Sequence, residues 1–440
     1  MPTLRDATGA LCLAGVALSS LARDPAIGTP VYVYDVGAIG LEARRLRAGF
    51  EGAAHLVAYA IKANSAGPIV RALASEGCGA DVVSGAEIIL ALACGISPDH
   101  IVYSGVAKTD DELDRAIGVG PRGIGAIQLE SVEEIARVAA RAAGKTARVS
   151  IRVNPAVDLA TMGTHAHIAT GHDEAKFGIA LQDIPAALAA LRSARQLELV
   201  GFASHVGSQA SQGGAYVGAA RTLFGVVREV RAEHAPRLTF VDTGGGFAID
   251  YGEGPCAAPA DIVRITRVEQ RAAGLEDLAL YVEPGRSLVA AHGVLLARVL
   301  QSKVSPFGRE PPLRRWLMID AGMNDLIRPA LYQARHRIVP LELTSREDVA
   351  GRAEGDDVGW RVVGPVCESS DDFGVHALPS SPPPFVAILD AGAYGYTMAS
   401  SYNGRPLAPE VFLASGRVIA SRGRRPVEEW SLERASLGEP

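Results

Sequence analysis

Basic residues do not outnumber acidic ones in this chain: 43 Lys and Arg stand against 49 Asp and Glu over 440 residues, a net charge of −6. Without a basic stripe or a pI above about 9, a nucleic-acid-binding protein is disfavoured. No stretch reaches the ~18 to 20 uninterrupted apolar residues of a membrane span, so no membrane partner is expected. The apolar segment Leu11–Ala22 is preceded by Arg5 beside Asp6 rather than by a cationic run, and Arg23-Asp24-Pro25 follows it, which is not the build of a secretory signal. Cysteine is scarce: Cys12, Cys78, Cys94, Cys256 and Cys367 are odd in number and follow no disulfide or metal-ligand spacing. Such a set suits the reducing cytoplasm, and no metal is expected.

What the chain does have is apolar bulk, 48% of its residues, enough for two or three average domains or for one large barrel with a partner domain. From about residue 31, short β-branched runs alternate with Ala/Leu-rich stretches of helical period. Val31–Tyr34, Val57–Ala60, Asp81–Val83, Ile101–Tyr103, Ala126–Leu129, Val149–Val153, Val200–Ala203, Leu238–Val241 and Ala279–Val282 read as strands. Helices are expected at Ala66–Glu76, Ala86–Cys94, Asp110–Ile117, Val132–Ala143, Asp183–Ala194 and Ala215–His234. This alternation implies parallel strands with helical crossovers: a (β/α)8 barrel over residues 31–287, or a doubly wound sheet. From residue 288 to 440 helical periodicity fades. Short strands between Gly- and Pro-rich turns, such as Ser380–Pro384, predict an all-β domain of sandwich or barrel type, with residues 1–30 folding back onto it.

Four motifs fall at the C-terminal ends of predicted barrel strands, the rim where barrel enzymes keep their sites. Lys62 ends the apolar run of Tyr59-Ala60-Ile61-Lys62-Ala63-Asn64; it reads as a snorkelling lysine or as a partly desolvated amine whose lowered pKa suits imine formation. Asp242-Thr243-Gly244-Gly245-Gly246-Phe247 is a flexible loop or a phosphate cradle, since glycines let backbone amides crowd round an anion. Glu283-Pro284-Gly285-Arg286 is an ion pair on a turn, or an acid for a cationic ring nitrogen beside an arginine for an anion. His205, in Ser204-His205-Val206-Gly207-Ser208-Gln209, is structural or stacks on a flat cofactor. Together, an amine, a phosphate loop, an acid and a stacking ring describe a pyridoxal phosphate pocket.

In these motifs the sequence resembles the fold-type III pyridoxal-phosphate decarboxylases, the alanine-racemase-like group, and within it the diaminopimelate decarboxylase branch. The similarity runs from Gly28-Thr29-Pro30 to Arg417. It implies that Lys62 carries pyridoxal 5'-phosphate and that Asp81 and Ser84–Glu87 form the next strand end. His205 stacks on the ring, Ser208 and Gly244, Gly245 and Gly246 meet the phosphate, Glu283 pairs with the ring nitrogen, and Gly285 and Arg286 complete the cofactor contacts. From the β domain, Arg328 and Tyr332 match the pair that holds a distal carboxylate, and Arg286 is matched to substrate as well. Cys367 matches the proton donor, Glu368 the partner of the distal amine, and Tyr394 a residue touching cofactor and substrate; Lys62, Cys367 and His205 are the catalytic candidates. Val106 stands where the family usually has Asn in Gly-Asn-x-Lys, and Ala248 replaces a frequent Gly.

The resemblance thus implies a cytoplasmic carboxy-lyase acting on a small diamino acid, meso-2,6-diaminopimelate, to give L-lysine. It also implies a homodimer with active sites shared between subunits. Decarboxylation of a related diamino acid or carboxylated polyamine stays open on the same fold. So do an amino-acid racemase, which needs a second base opposite Lys62, and a non-catalytic pyridoxal-phosphate carrier, which has no need of the β domain.

Overall fold

The computed structural model describes residues 3–155, 176–205, 207, 209, 213–234, 237–305, 314–343 and 357–437. The chain divides into two compact units, residues 40–250 with 255–288, and residues 1–39 with 251–254 and 289–440.

In the first unit, eight parallel strands among the described residues close on themselves. They are His55–Ala60, Gly79–Val82, Ile101–Tyr103, Ala126–Leu129, Ala147–Asn154, Leu197–Ala203, Phe240–Asp242 and Ala279–Val282. This is the expected (β/α)8 barrel rather than an open doubly wound sheet. Most of its strands are buried on both faces and read in sequence as largely apolar runs, whereas Ala147–Asn154 alternates apolar and polar residues. Helices packed outside are started by local chemistry. Ser84 accepts the Glu87 amide at the head of Gly85–Ala93, Ser131 accepts that of Glu134 ahead of Val132–Arg141, and Thr109 and Glu112 cap each other reciprocally before Asp110–Gly118. Each cap fixes where a strand-end loop turns into a helix. A further helix, Pro259–Ala272, was not expected from the sequence.

The second unit is built on a sheet running Asp372–Pro379, Asp357–Val363, Arg314–Ile319, Gly293–Ser305, Val31–Asp35, Glu410–Ala414 and Arg417–Arg422, with Phe385–Ile388 and Ile338–Pro340 branching from Gly293–Ser305. Val31–Tyr34, expected as the first barrel strand, belongs to this sheet: the strand Val31–Asp35 pairs antiparallel with Gly293–Leu296 and parallel with Glu410–Leu413. A β-branched run followed by a helix, Val36–Ala48, has the look of a βα unit, but periodicity carries no information on which sheet a strand joins. The side chains decide it: Tyr32 Oη donates to the Asp325 carbonyl at 2.7 Å, and Tyr34 Oη to Glu410 Oε1 at 3.2 Å.

Residues 3–30 pack on this sheet. Strands Thr3–Arg5, Leu11–Leu13 and Val16–Ala17 form a small antiparallel sheet. Leu11, Leu13, Leu18 and Leu21 bury themselves against Val31, Val33, Leu296, Leu389 and Leu413. The apolar segment that raised the question of secretion is therefore core of this unit. No helix among the described residues is long and apolar enough to cross a membrane.

Candidate active site

The barrel strands deliver polar residues to one end of the barrel, and most of the predicted site residues of the first unit meet there. Lys62 follows His55–Ala60 in a short 3-10 turn, and its Nζ donates to Asp81 Oδ2 at 2.6 Å. The lysine side chain is 38% exposed while Asp81 is fully buried, so the amine sits at the edge of solvent with its counter-charge beneath it. Asp81 is fixed from its other oxygen, which accepts from Ser104 Oγ at 2.6 Å.

Glu283 ends the strand Ala279–Val282 and is buried, 7% exposed. Gln128 Nε2 donates to its Oε1 at 2.9 Å, and its Oε2 lies 3.9 Å from His205 Nδ1. Burial, then the neighbouring Asp242 and Asp81 charges, push the Glu283 carboxyl well above the usual carboxylate range, with Lys62 and Arg152 pulling the other way. Asp242 is pushed up to about 7, chiefly by burial, against the Gly244 amide that bonds its Oδ1 at 2.8 Å. His205 Nδ1 accepts the Gly245 amide at 2.9 Å, which puts the ring proton on Nε2. Burial first, then Arg152 and Lys62, hold its pKa well below the ordinary imidazole value, so the ring is neutral.

The glycine loop departs from expectation in one respect. The amides of Gly244 and Gly245 are directed at Asp242 and His205 and are not presented to an anion. What these glycines supply is close approach: a Cβ on Gly245 would lie 2.1 Å from the Glu283 carbonyl oxygen, and one on Gly244, at φ +73°, 2.5 Å from that of Ser204. Only glycine lets three strand ends converge so tightly. Gly246, at φ +99°, turns the chain away from them. Gly285 and Arg286 follow Glu283 in the same turn, and Arg286 is buried. Ser208 lies outside the described residues. The Gly105–Lys108 segment, where Val106 departs from the family pattern, is held by Lys108, whose Nζ donates to the Gly105 and Gln128 carbonyls and to Glu134.

The second unit carries the remaining candidates. Arg328 opens the short helix Arg328–Tyr332 and is buried. Its Nη1 donates to His336 Nε2 at 2.7 Å, while His336 Nδ1 donates to the Leu389 carbonyl at 2.9 Å. The guanidinium lies over the Tyr251 ring, 4.8 Å from its centre. Tyr332 is half-buried at the end of the helix. Cys367 and Glu368 occupy an exposed loop braced by Asp371, whose Oδ2 accepts the Val366 amide at 2.6 Å. The Cys367 amide donates to Asn403 Oδ1 at 3.0 Å, and Tyr402 Oη to Glu368 Oε1 at 2.6 Å. Tyr394 has φ +55°, a left-handed conformation that no sequence signal announced.

Several contributors were not foreseen. Ser104, Gln128, Arg152 and Glu130 support the barrel site, with Arg152 Nη1 donating to Glu130 Oε1 at 3.0 Å. Tyr251, His336, Tyr402 and Asn403 brace the residues of the second unit. For Gln128, Glu130 and Ser104 a signal was present: each is a lone polar residue within or next to an apolar strand, whereas Arg152 shares its strand with Arg148, Ser150 and Asn154.

A family model described as "Pyridoxal-dependent decarboxylase, pyridoxal binding domain" matches residues 37–290. The chain is 38% identical to the diaminopimelate decarboxylase of Zymomonas mobilis, covering 96% of each chain, and 38% identical to that of Pseudomonas aeruginosa, covering 94% of each. Its structure is similar to that of the diaminopimelate decarboxylase from Helicobacter pylori complexed with L-lysine. The TM-score is 0.84 at 35% identity, with 96% of this chain and 100% of the other covered.

The barrel residues fit a pyridoxal group. A half-exposed amine, a buried carboxylate held at one oxygen, a neutral imidazole and a turn whose close packing only glycine permits are what a flat, phosphate-bearing aldehyde with a basic ring nitrogen requires.

The acid cluster sets a pH dependence in the cofactor-free protein. Asp242 titrates near 7 when folded and near its ordinary 3.8 when unfolded. Between those values the native state binds more protons, so its stabilising contribution is complete below about pH 4 and is lost as pH rises through 7. Asp242→Asn removes the titration while keeping the acceptor for Gly244. The variant is expected to melt above the wild type at pH 8, with the gain shrinking steadily toward pH 4, as followed by thermal denaturation of the cofactor-free protein.

Proposed function

The chain belongs to the pyridoxal-dependent decarboxylase family, among the diaminopimelate decarboxylases, and from that premise we propose that it is a carboxy-lyase converting meso-2,6-diaminopimelate to L-lysine and CO2, the closing step of lysine biosynthesis. One observation carries the reading: Lys62, 2.6 Å from a fully buried Asp81, shares a barrel end with the buried carboxylate Glu283, in a chain alike over nearly its whole length to enzymes of that name.

Pyridoxal 5'-phosphate, when bound, supplies a sink for the electron pair left behind as CO2 departs. The chain's own residues do the rest. Lys62 is the amine that carries the cofactor, held in place by Asp81. Glu283 holds the proton of the ring nitrogen through a carboxylate already fixed by Gln128. Neutral His205 offers a ring face without adding a competing positive charge. Ser208, Gly246 and Arg286 take the phosphate side. On the substrate, the bond between the α-carbon and its carboxylate breaks, and Cys367 delivers the proton that replaces CO2 on that carbon. Arg328, aimed by His336, and Tyr332 hold the distal carboxylate. Glu368, oriented by Tyr402, takes the distal amine, and Tyr394 closes on substrate and cofactor.

We further infer a homodimer in which Cys367 and Glu368 of one subunit serve the partner subunit's Lys62, and a cytoplasmic setting, which the five free cysteines support. A racemase reading is disfavoured by the Cys367-Glu368 loop, which supplies a proton donor to a carbon that has lost its carboxylate.

A panel of meso-diaminopimelate, lysine, ornithine and arginine, read by CO2 release, tests the reaction and its substrate together. Only diaminopimelate is expected to turn over efficiently; turnover without CO2 would indicate racemisation. Truncating one side of a desolvated charge pair typically costs about 2 to 5 kcal/mol. Arg328→Ala should therefore lower kcat/KM for diaminopimelate by about thirty- to several-thousand-fold, and lower any activity on lysine or ornithine far less. Equal losses on all substrates, or a collapse in Tm, would make Arg328 a structural residue.

Subunit sharing predicts complementation. Lys62→Ala and Cys367→Ala should each be nearly inactive, and after subunit exchange their mixture should regain up to about a quarter of wild-type activity. Half of the randomly paired dimers are mixed, and each mixed dimer has one intact site of two. A dead mixture after proven exchange would place Cys367 in its own subunit's site or outside catalysis.

A further inference from the structure

The Glu283 carboxylate has two oxygens, and the structure treats them differently. Oε1 accepts from Gln128 Nε2 at 2.9 Å; Oε2 faces His205, whose Nδ1 lies 3.9 Å away and is already occupied by the Gly245 amide. We propose that Gln128 is the positioning residue of the ring-nitrogen site: it ties down Glu283 Oε1 and so leaves Oε2 as the oxygen that meets a protonated ring nitrogen. The inference rests on the reading of Glu283 given above.

Gln128 is built for that task. It is 1% exposed, in the middle of the barrel strand Ala126–Leu129, which pairs with the neighbouring strand at Gln128 and Ser150. Its backbone carbonyl accepts from Lys108 Nζ at 2.7 Å, and Lys108 is itself anchored on Glu134 at 2.9 Å. A glutamine held at its backbone and buried at its amide offers Glu283 a donor in one place only. Such support, one residue removed from the reacting group, is what keeps a buried ligand in a single orientation.

The charge balance at Glu283 shows why a donor is needed. Asp242 and Asp81 disfavour its ionisation, as burial does, and Lys62 and Arg152 favour it, while His205 is neutral. A hydrogen bond donated to a carboxylate favours the ionised form. Gln128 therefore adds to the side of the two cations without adding a charge that would repel a cationic ring. Removing it should raise the Glu283 pKa, so the acid limb of cofactor binding should move to higher pH.

The test is equilibrium binding of pyridoxal 5'-phosphate to the cofactor-free protein across pH, together with the Tm of that protein and the visible absorbance of the bound cofactor. Gln128→Met keeps the volume and removes the donor; Gln128→Asn keeps an amide but holds it one methylene short. Both are expected to weaken binding at neutral pH by at least about tenfold, the low end for a hydrogen bond to a charged group. Both should shift the acid limb upward and alter the pH dependence of the absorbance band. In a Glu283→Gln background, which should itself bind poorly, Gln128→Met should add nothing, because the two residues act as one unit. Wild-type binding and an unmoved acid limb in either folded variant would overturn the role of Gln128 alone, as would a full additional loss in the Glu283→Gln background. Wild-type binding by Glu283→Gln would overturn the reading of Glu283, and this inference with it.

Discussion

The site depends on grouping carboxyl side chains where water does not reach them. Asp81 and Asp242 are fully buried and Glu283 nearly so, on strands that converge at one end of a barrel. Placing three acids together costs free energy through both desolvation and mutual repulsion, and the structure offsets that cost locally. Lys62 neutralises Asp81, the Gly244 amide bonds Asp242, and Gln128 bonds Glu283. The result is a cluster of buried acids, each with a fixed partner, and one half-exposed amine at its edge. It attracts a group carrying a positive ring nitrogen and presents an amine to its aldehyde.

A parallel barrel suits this arrangement because each strand can end in a residue of different chemistry while the next strand supports it. The Lys62 strand neighbours that of Asp81, which neighbours that of Ser104. On the other side, the Glu283 strand neighbours both that of Asp242 and that preceding Lys62. Glycine at 244 and 245 lets these ends close to a separation that any side chain would forbid. The second unit divides its work similarly: Arg328 is buried and oriented by His336, while Cys367 and Glu368 stand on an exposed loop whose backbone is held by Asp371 and Asn403.

The eight barrel strands were legible in the sequence because most are written as largely apolar runs, as strands buried on both faces are, and Ala147–Asn154 as a β-branched alternation. Val31–Tyr34 reads as a barrel strand for the same reason: it too is buried, and an apolar run does not name its partners. Pro259–Ala272 went unread after the proline- and alanine-rich stretch before it. Lys62, Glu283 and His205 stood out as chemistry at strand ends, whereas Gln128, Ser104 and Arg152 did not. A single polar residue in an apolar strand has many structural uses, and only the fold shows that Gln128 reaches a residue 155 positions away. The roles of Arg328, Tyr332, Cys367, Glu368 and Tyr394 were legible only through resemblance. Nothing in their local pattern distinguishes a substrate contact from an ordinary turn, and the left-handed backbone at Tyr394 has no counterpart in residue type.

The central claim is that Lys62 is the amine that carries the cofactor. Borohydride reduction of the holoenzyme followed by peptide mass mapping tests it directly, since reduction joins the cofactor permanently to the nitrogen that holds it. The modification is expected on Lys62 and to be absent from Lys62→Ala, which should also lose turnover and visible absorbance while keeping its fold. A modification at the buried Lys108 or at any other lysine, or a trapped cofactor that persists in Lys62→Ala, would contradict the account.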